Sequence, residues 1–210
     1  MRATPGEGEP DAPVAGIVLA GGRSRRFGRD KLAEEVDGRP LLHHAITRLI
    51  EVCDRLVVVL GVDGDEPVLP NDGRITITRD PTPDEGPLRG LAAGLEITDA
   101  TWALVVGGDM PDLQPNVLRE MLRASRETGA VAVALSDRGE ARPLPCVLRT
   151  GSAREAVTTL LEGGRRSLRE LLGAVTTVVI DDPSWTALDP ERRTLVDIDE
   201  PADVERAPRR

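Results

Sequence analysis

Aromatic side chains are almost missing from this chain of 210 residues, which has one Phe, no Tyr and two Trp. Val, Leu, Ile and Ala must therefore fill the interior, and such a core suits buried parallel strands covered by helices. Cysteine is scarce too. Cys53 and Cys146 are far apart and lack CxxC spacing, which excludes a disulfide framework or a cysteine metal site and leaves two reduced thiols in or near the core. His43 and His44 are adjacent, so on a helix they point in different directions and cannot form a ligand pair. No apolar run approaches the ~20 residues needed to span a bilayer. The opening stretch, MRATPGEGEPDAP, has no apolar signal-peptide core and reads as a disordered tail over residues 1–13, which points to the cytoplasm. Positive charge is also in deficit, with a net charge of −9. A mean field of that sign repels polyanions, so neither nucleic acid nor a membrane surface is an expected partner.

What is present is an alternation of strand-like and helix-like segments. Strands are expected at Val14–Ala20, Leu56–Leu60, Arg74–Thr78, Trp102–Val106, Ala130–Leu135, Leu144–Leu148, Val175–Ile180 and Thr194–Ile198. Helices are expected from Pro40 to Cys53, Gly86 to Ile97, Asn116 to Arg126, Gly151 to Leu161 and Ser167 to Leu172. A last short helix is expected from Glu200, with Asp199 as its cap and Pro201 at its first position. The pattern predicts one α/β domain over residues 14–207. Its fold is Rossmann-like, a largely parallel sheet with helices on both faces.

Two turns carry chemistry. The first strand runs into Gly21-Gly22 and then a stretch from Arg23 to Lys31 that holds five cations and one Asp. Glycine lets backbone N–H groups approach phosphate oxygens without an intervening Cβ. Lys31 adds a mobile point charge and Arg26 a flat fork suited to phosphate. Neither a Walker loop nor a GxGxxG fingerprint is present, because Leu32 follows Lys31 and the glycine spacing differs. In the second turn, Gly107-Gly108-Asp109-Met110-Pro111 places a carboxylate at the end of an apolar strand, where open α/β sheets bind ligands.

The first loop, LAGGRSRRFGRDK, resembles LAGGxSxRxGxDK, the signature loop of the molybdenum cofactor guanylyltransferases within the nucleotidyltransferase superfamily. Phe27 stands where Met is usual. Further resemblances follow in order: Asp80 after the third strand, Gly86-Pro-Leu-Arg-Gly90, Gly108-Asp-Met-Pro111, Gly164-Arg-Arg166 with SLRELL, and Asp197-Ile-Asp199 before Pro201. They cover nearly the whole chain after residue 13.

The resemblance implies that the backbone of Leu19, Ala20, Gly21 and Gly22 holds a nucleotide. It implies that Lys31 meets the phosphates, with Arg26 beside it, and that Asp80 helps hold the nucleotide. Asp109 would bind magnesium, and Asp199 reads equally as a second metal ligand and as a helix cap. Many members carry an Asn after the second strand, where this chain has Leu60-Gly61-Val62; Arg89 stands where Ala is common. The implied reaction transfers GMP from GTP to the phosphate of molybdopterin with release of pyrophosphate, and other proteins of molybdenum cofactor biosynthesis would be partners. The rivals are CTP on the same pterin, a nucleotide on a sugar phosphate or phospholactate, and a non-catalytic nucleotide-binding regulator. The glycine pair at 21 and 22 favours the guanine branch, since relatives that use CTP resemble AAG there.

Overall fold

Strands apolar on both faces are stable only inside a covered sheet. The computed structural model, which describes residues 12–21, 31–62, 66–82, 85–199 and 203, arranges them that way. The main elements in chain order are β1 (Val14–Ala20), β2 (Glu35–Val36), β3 (Arg39–Pro40), α1 (Leu41–Ile50), β4 (Arg55–Leu60), β5 (Ile75–Arg79), α2 (Pro87–Glu96) and β6 (Trp102–Gly107). They continue with α3 (Pro115–Thr128), β7 (Ala132–Asp137), β8 (Glu140–Arg149), α4 (Thr150–Glu162), α5 (Leu168–Ala174), β9 (Thr177–Ile180) and α6 (Asp182–Thr186).

Seven strands form one sheet in the order β5-β4-β1-β6-β8-β7-β9, while β2 and β3 form a separate small hairpin. Six of the seven run parallel, and β8 is antiparallel to both neighbours. The chain turns back between β7 and β8 through Arg138 and Gly139, both at positive φ (54° and 88°), the conformation a tight hairpin requires. Of the two large core clusters among the described residues, one packs α1, α3 and Trp185 of α6 against one face of the sheet. The other packs α2, α4 and α5 against the opposite face. The sequence expectation of a largely parallel sheet covered on both faces therefore holds.

Other expectations need correction. Thr194–Ile198 is not a strand: Arg193–Leu195 forms a short 3-10 turn and no sheet partner follows. Its apolar residues are buried by docking instead. Thr194 donates its N–H to Asp189 at 2.7 Å, and Ile198 packs with Val36 and Leu41. Ala12 and Pro13, counted in the expected tail, are seated on the sheet, where the Pro13 carbonyl accepts from the Trp102 N–H at 3.3 Å. Residues 1–11 and, apart from Asp203, the helix expected from Glu200 lie outside the described residues. Cys53 and Cys146 are buried free thiols, pushed up to about 12 by burial, which makes them inert. Among the described residues no helix is long and apolar enough to cross a membrane.

Glycine sets how closely α2 approaches the sheet. A Cβ at Gly94 would lie 2.8 Å from Ile17 Cγ2 and 3.1 Å from Val59 Cγ2, both in fully packed strands. At Gly173, in α5, a Cβ would meet nothing within 4 Å. Ala normally stabilises a helix interior over Gly by ~1 kcal/mol, whereas overpacking a core costs about 1–3 kcal/mol. We therefore expect Gly173→Ala to raise the melting temperature slightly and Gly94→Ala to lower it by several degrees. Thermal unfolding of both variants checks this, and a Gly94→Ala protein as stable as its parent would show that α2 can shift freely.

Candidate active site

Parallel strands end at a common edge, and the loops leaving that edge converge on it. Here β1 delivers Leu19, Ala20 and Gly21, and β6 delivers the Gly107–Pro111 turn beside it. The two are tied together where the Gly108 N–H donates to the Leu19 carbonyl at 3.0 Å. Small residues are needed at this junction. A Cβ at Gly21 would come within 3.2 Å of the Gly61 nitrogen, and one at Gly108 within 3.1 Å of Leu42. A third strand of chain reaches the same spot from the C-terminal side, where the Ile198 N–H donates to the Asp109 carbonyl at 3.0 Å.

Lys31 closes the constellation. Its ammonium donates to Asp109 Oδ2 at 2.9 Å and to Asp199 Oδ1 at 3.0 Å. The lysine side chain is only 12% exposed, against 31% for Asp109 and 58% for Asp199. Burial would lower its pKa, but the charges and hydrogen bonds of Asp109 and Asp199 outweigh that, and the net shift is upward from 10.5. A raised lysine pKa means that its ion pairs hold fully below the ordinary value and loosen only as pH climbs through the folded one. Lys31 thus stays charged throughout the neutral range. Asp197 shares this neighbourhood. Burial, then repulsion from Asp199 and Asp109, raises its pKa, against the pull of Arg142.

Two carboxylate oxygens that converge on one ammonium define a cation position. Magnesium is commonly bound through one or two carboxylates, with phosphates and water completing its octahedron, so the pair fits that ion. Among the described residues, no group of three or more His, Cys, Asp or Glu is placed to hold a metal on its own. A cation here would depend on ligands brought by the substrate.

Asp80 lies apart from this cluster. It follows β5, accepts the Thr82 N–H at 3.0 Å and flanks the first turn of α2, where a Cβ at Gly90 would sit 4.0 Å from its Oδ2 and 3.7 Å from Leu19. That first turn is braced by the Gly164–Ser167 segment. The Leu88 N–H donates to the Arg166 carbonyl at 3.3 Å, and Glu85 meets Arg89 at 2.8 Å and Arg166 at 3.7 Å. Ser167 and Glu170 form a capping box on α5. Gly22 and Arg26 lie outside the described residues. Sequence reasoning included Asp197 only as part of a motif and did not single out Arg142. Arg142 has no local signal, because only the return of the C-terminal segment brings Asp197 beside it.

The sequence profile of the MobA-like NTP transferase domain matches residues 16–178. The chain is 36% identical over 197 residues to the protein named "Probable molybdenum cofactor guanylyltransferase" from Mycolicibacterium paratuberculosis, covering 91% of this chain and 93% of that one. It is 39% identical over 163 residues to the molybdenum cofactor guanylyltransferase of Xanthomonas euvesicatoria, covering 76% and 78%. In fold it is similar to the molybdopterin-guanine dinucleotide biosynthesis protein A of Archaeoglobus fulgidus, with a TM-score of 0.72 at 21% identity, covering 92% of this chain and 96% of that one. With its glycine turn, its carboxylate at the end of β6 and a match over most of its length, the chain belongs to the MobA-like NTP transferase family.

Proposed function

We propose that this protein is a molybdenum cofactor guanylyltransferase that uses magnesium. The observation that carries the reading is the sharing of Lys31 between Asp109 and Asp199 beside the glycine turn of β1. The relatives' names give a guanylyl group as what is transferred and the molybdenum cofactor as its destination, which supports GTP as donor and molybdopterin as acceptor. A phosphate oxygen of the pterin attacks the α-phosphorus of GTP. The bond from that phosphorus to the bridging oxygen breaks, and pyrophosphate leaves with the bonding pair.

No nucleophilic side chain is needed, so the protein's task is to position two anions and offset charge. The backbone of Leu19 to Gly21 has the steric openness to seat a phosphate-bearing ligand, and Asp80 lies on the same side, next to Leu19. Lys31 holds the cation position at rest. Its flexible stem lets the ammonium turn from Asp199, the more exposed partner, to a phosphate oxygen, where it stabilises charge in the transition state. When bound, magnesium would be held by Asp109 and Asp199 and would neutralise and orient the triphosphate. Arg26 and Gly22 are assigned to the same phosphate-binding loop by their chemistry and by the resemblance of the loop.

Incubating the protein with each of the four ribonucleoside triphosphates, magnesium and molybdopterin tests the reading directly. GTP should give pyrophosphate and a guanine dinucleotide with a kcat/KM at least tenfold above that for CTP; an equal or better value with CTP would move the protein to the cytidylyl branch. Asp109→Asn keeps size and shape but removes the charge. Turnover should fall roughly a hundredfold, in the range of losing one transition-state contact, and should recover in part at high magnesium, while the nucleotide-free protein stays folded with a melting temperature lowered by only a few degrees. Normal turnover in that variant would remove Asp109 from the site.

Lys31→Ala separates the lysine's two roles. GTP turnover should drop by a similar factor. Binding of Mn²⁺ to the nucleotide-free protein, followed by electron paramagnetic resonance, should be unchanged or tighter, because the competing ammonium is gone. Weaker Mn²⁺ binding would mean that the two carboxylates do not form the cation position.

A further inference from the structure

The sheet order leaves one side of the site without an assigned role. Leu19 to Gly21 and Asp80 lie over β1, β4 and β5, and the cation position sits at the end of β6. Beyond β6 come β8 and β7. Because β8 is antiparallel, its first residues, not its last, lie at the carboxyl edge of the sheet. Arg142 is among them, paired in register with Leu135 just past a register shift between β7 and β8.

Arg142 is held unusually loosely. Its guanidinium lies 3.7 Å from Asp137 and 3.9 Å from Asp197, beyond hydrogen-bond distance in both cases. Its Nε is buried without a hydrogen-bond partner among the described residues. Nearby Arg192 shows what a structural arginine looks like here. It donates to Asp137 at 2.8 Å and to Asp182 at 2.6 Å, and it stacks on the Trp185 ring at 4.8 Å from the centroid. Since Arg192 takes the close bond to Asp137, Arg142 is left with the long one. A buried donor left unmatched calls for an explanation, because native structures pair nearly all of them.

Its other partner, Asp197, stands two residues before Asp199 and within electrostatic range of Asp199 and Asp109. A phosphate monoester arriving on this side meets the carboxylates of Asp137, Asp197, Asp109 and Asp199. It needs a cation to offset them, and a planar guanidinium that presents parallel N–H groups suits a phosphate. We propose that Arg142 binds the phosphate of the acceptor and presents it to the donor from the β8 side. The proposal rests on the guanylyl-transfer reading above. The Arg142 side chain is 35% exposed and makes no hydrogen bond among the described residues that it would have to give up, so the exchange from carboxylate to phosphate costs little.

The test is steady-state kinetics with GTP, magnesium and molybdopterin, together with calorimetry of GTP binding. Arg142→Met keeps the aliphatic stem and removes the charge. The acceptor KM should rise at least tenfold, while the GTP Kd stays within twofold and kcat changes little. Arg142→Lys should restore part of the loss. An unchanged acceptor KM would overturn the proposal. So would a parallel loss of GTP affinity, which would assign Arg142 to the donor triphosphate or to the support of Asp197. If Arg142→Met does not fold, Arg142→Lys is judged alone: an acceptor KM at least threefold higher with GTP affinity intact supports the proposal, and an unchanged KM overturns it. The wild-type control separates this result from the wider reading, which fails only if the unaltered protein transfers no GMP to molybdopterin.

Discussion

The site depends on one buried positive charge. Lys31, Asp109 and Asp199 come from chain positions 78 and 168 residues apart, and the lysine ammonium is where the three segments meet. Two unit charges about 4 Å apart interact by roughly 4 kcal/mol at an effective dielectric constant of 20. The two halves of the bridge are unequal, however. Asp109 is mostly covered, while Asp199 is 58% exposed, and exposed pairs contribute little after screening. The Lys31–Asp109 contact is therefore the anchor and Lys31–Asp199 the part that can open. Without the ammonium, Asp109, Asp197 and Asp199 would face one another as like charges at the end of an apolar strand.

The fold supplies this convergence by setting the ends of two strands side by side. β1 and β6 are neighbours and parallel, so their last residues lie side by side, and the Gly108 to Leu19 hydrogen bond fixes their spacing. Glycine at 21 and 108 allows backbone and side chains to close to contact distance there. Behind the site, the all-aliphatic strands allow α2 to pack at glycine distance, and the bracing of its first turn by Gly164–Ser167 fixes where its N-terminus points. A core short of aromatic rings has few large shapes to interlock, so close backbone approach takes over that role.

Much of this was legible in the sequence where one segment carries its own signal. The strands β1, β4 and β6 are unbroken apolar runs ended by glycine, and the Lys31 and Asp109 turns are dense in residues that no regular element would hold. Segments whose state is set by distant contacts carry no such signal. Thr194–Ile198 has the composition of a strand, yet Asp189 takes up the Thr194 N–H and Val36 and Leu41 cover Ile198, so the segment closes the site instead of extending the sheet. The β2–β3 hairpin is too short to show a period. Helix α6, only five residues long, was missed for the same reason. Arg142 is an ordinary charged residue until the C-terminal segment brings Asp197 beside it.

That return of the chain also explains why an acidic protein can be suited to handling anionic substrates. A net charge of −9 disfavours polyphosphates at long range. At short range what matters is which charges are committed. Arg74, Arg123 and Arg192 are tied up in close hydrogen bonds with carboxylates on their own surfaces and offer nothing to a ligand. Lys31 and Arg142 differ. The first is shared between two carboxylates of unequal grip, and the second rests near two carboxylates without bonding either. On the proposed reading these two cations flank the carboxylates at the end of β6, one toward the donor and one toward the acceptor. The local field can then invert as phosphates replace carboxylates around them. The acidic residues that appear unfavourable for anion binding would hold the cations in place until the substrates arrive.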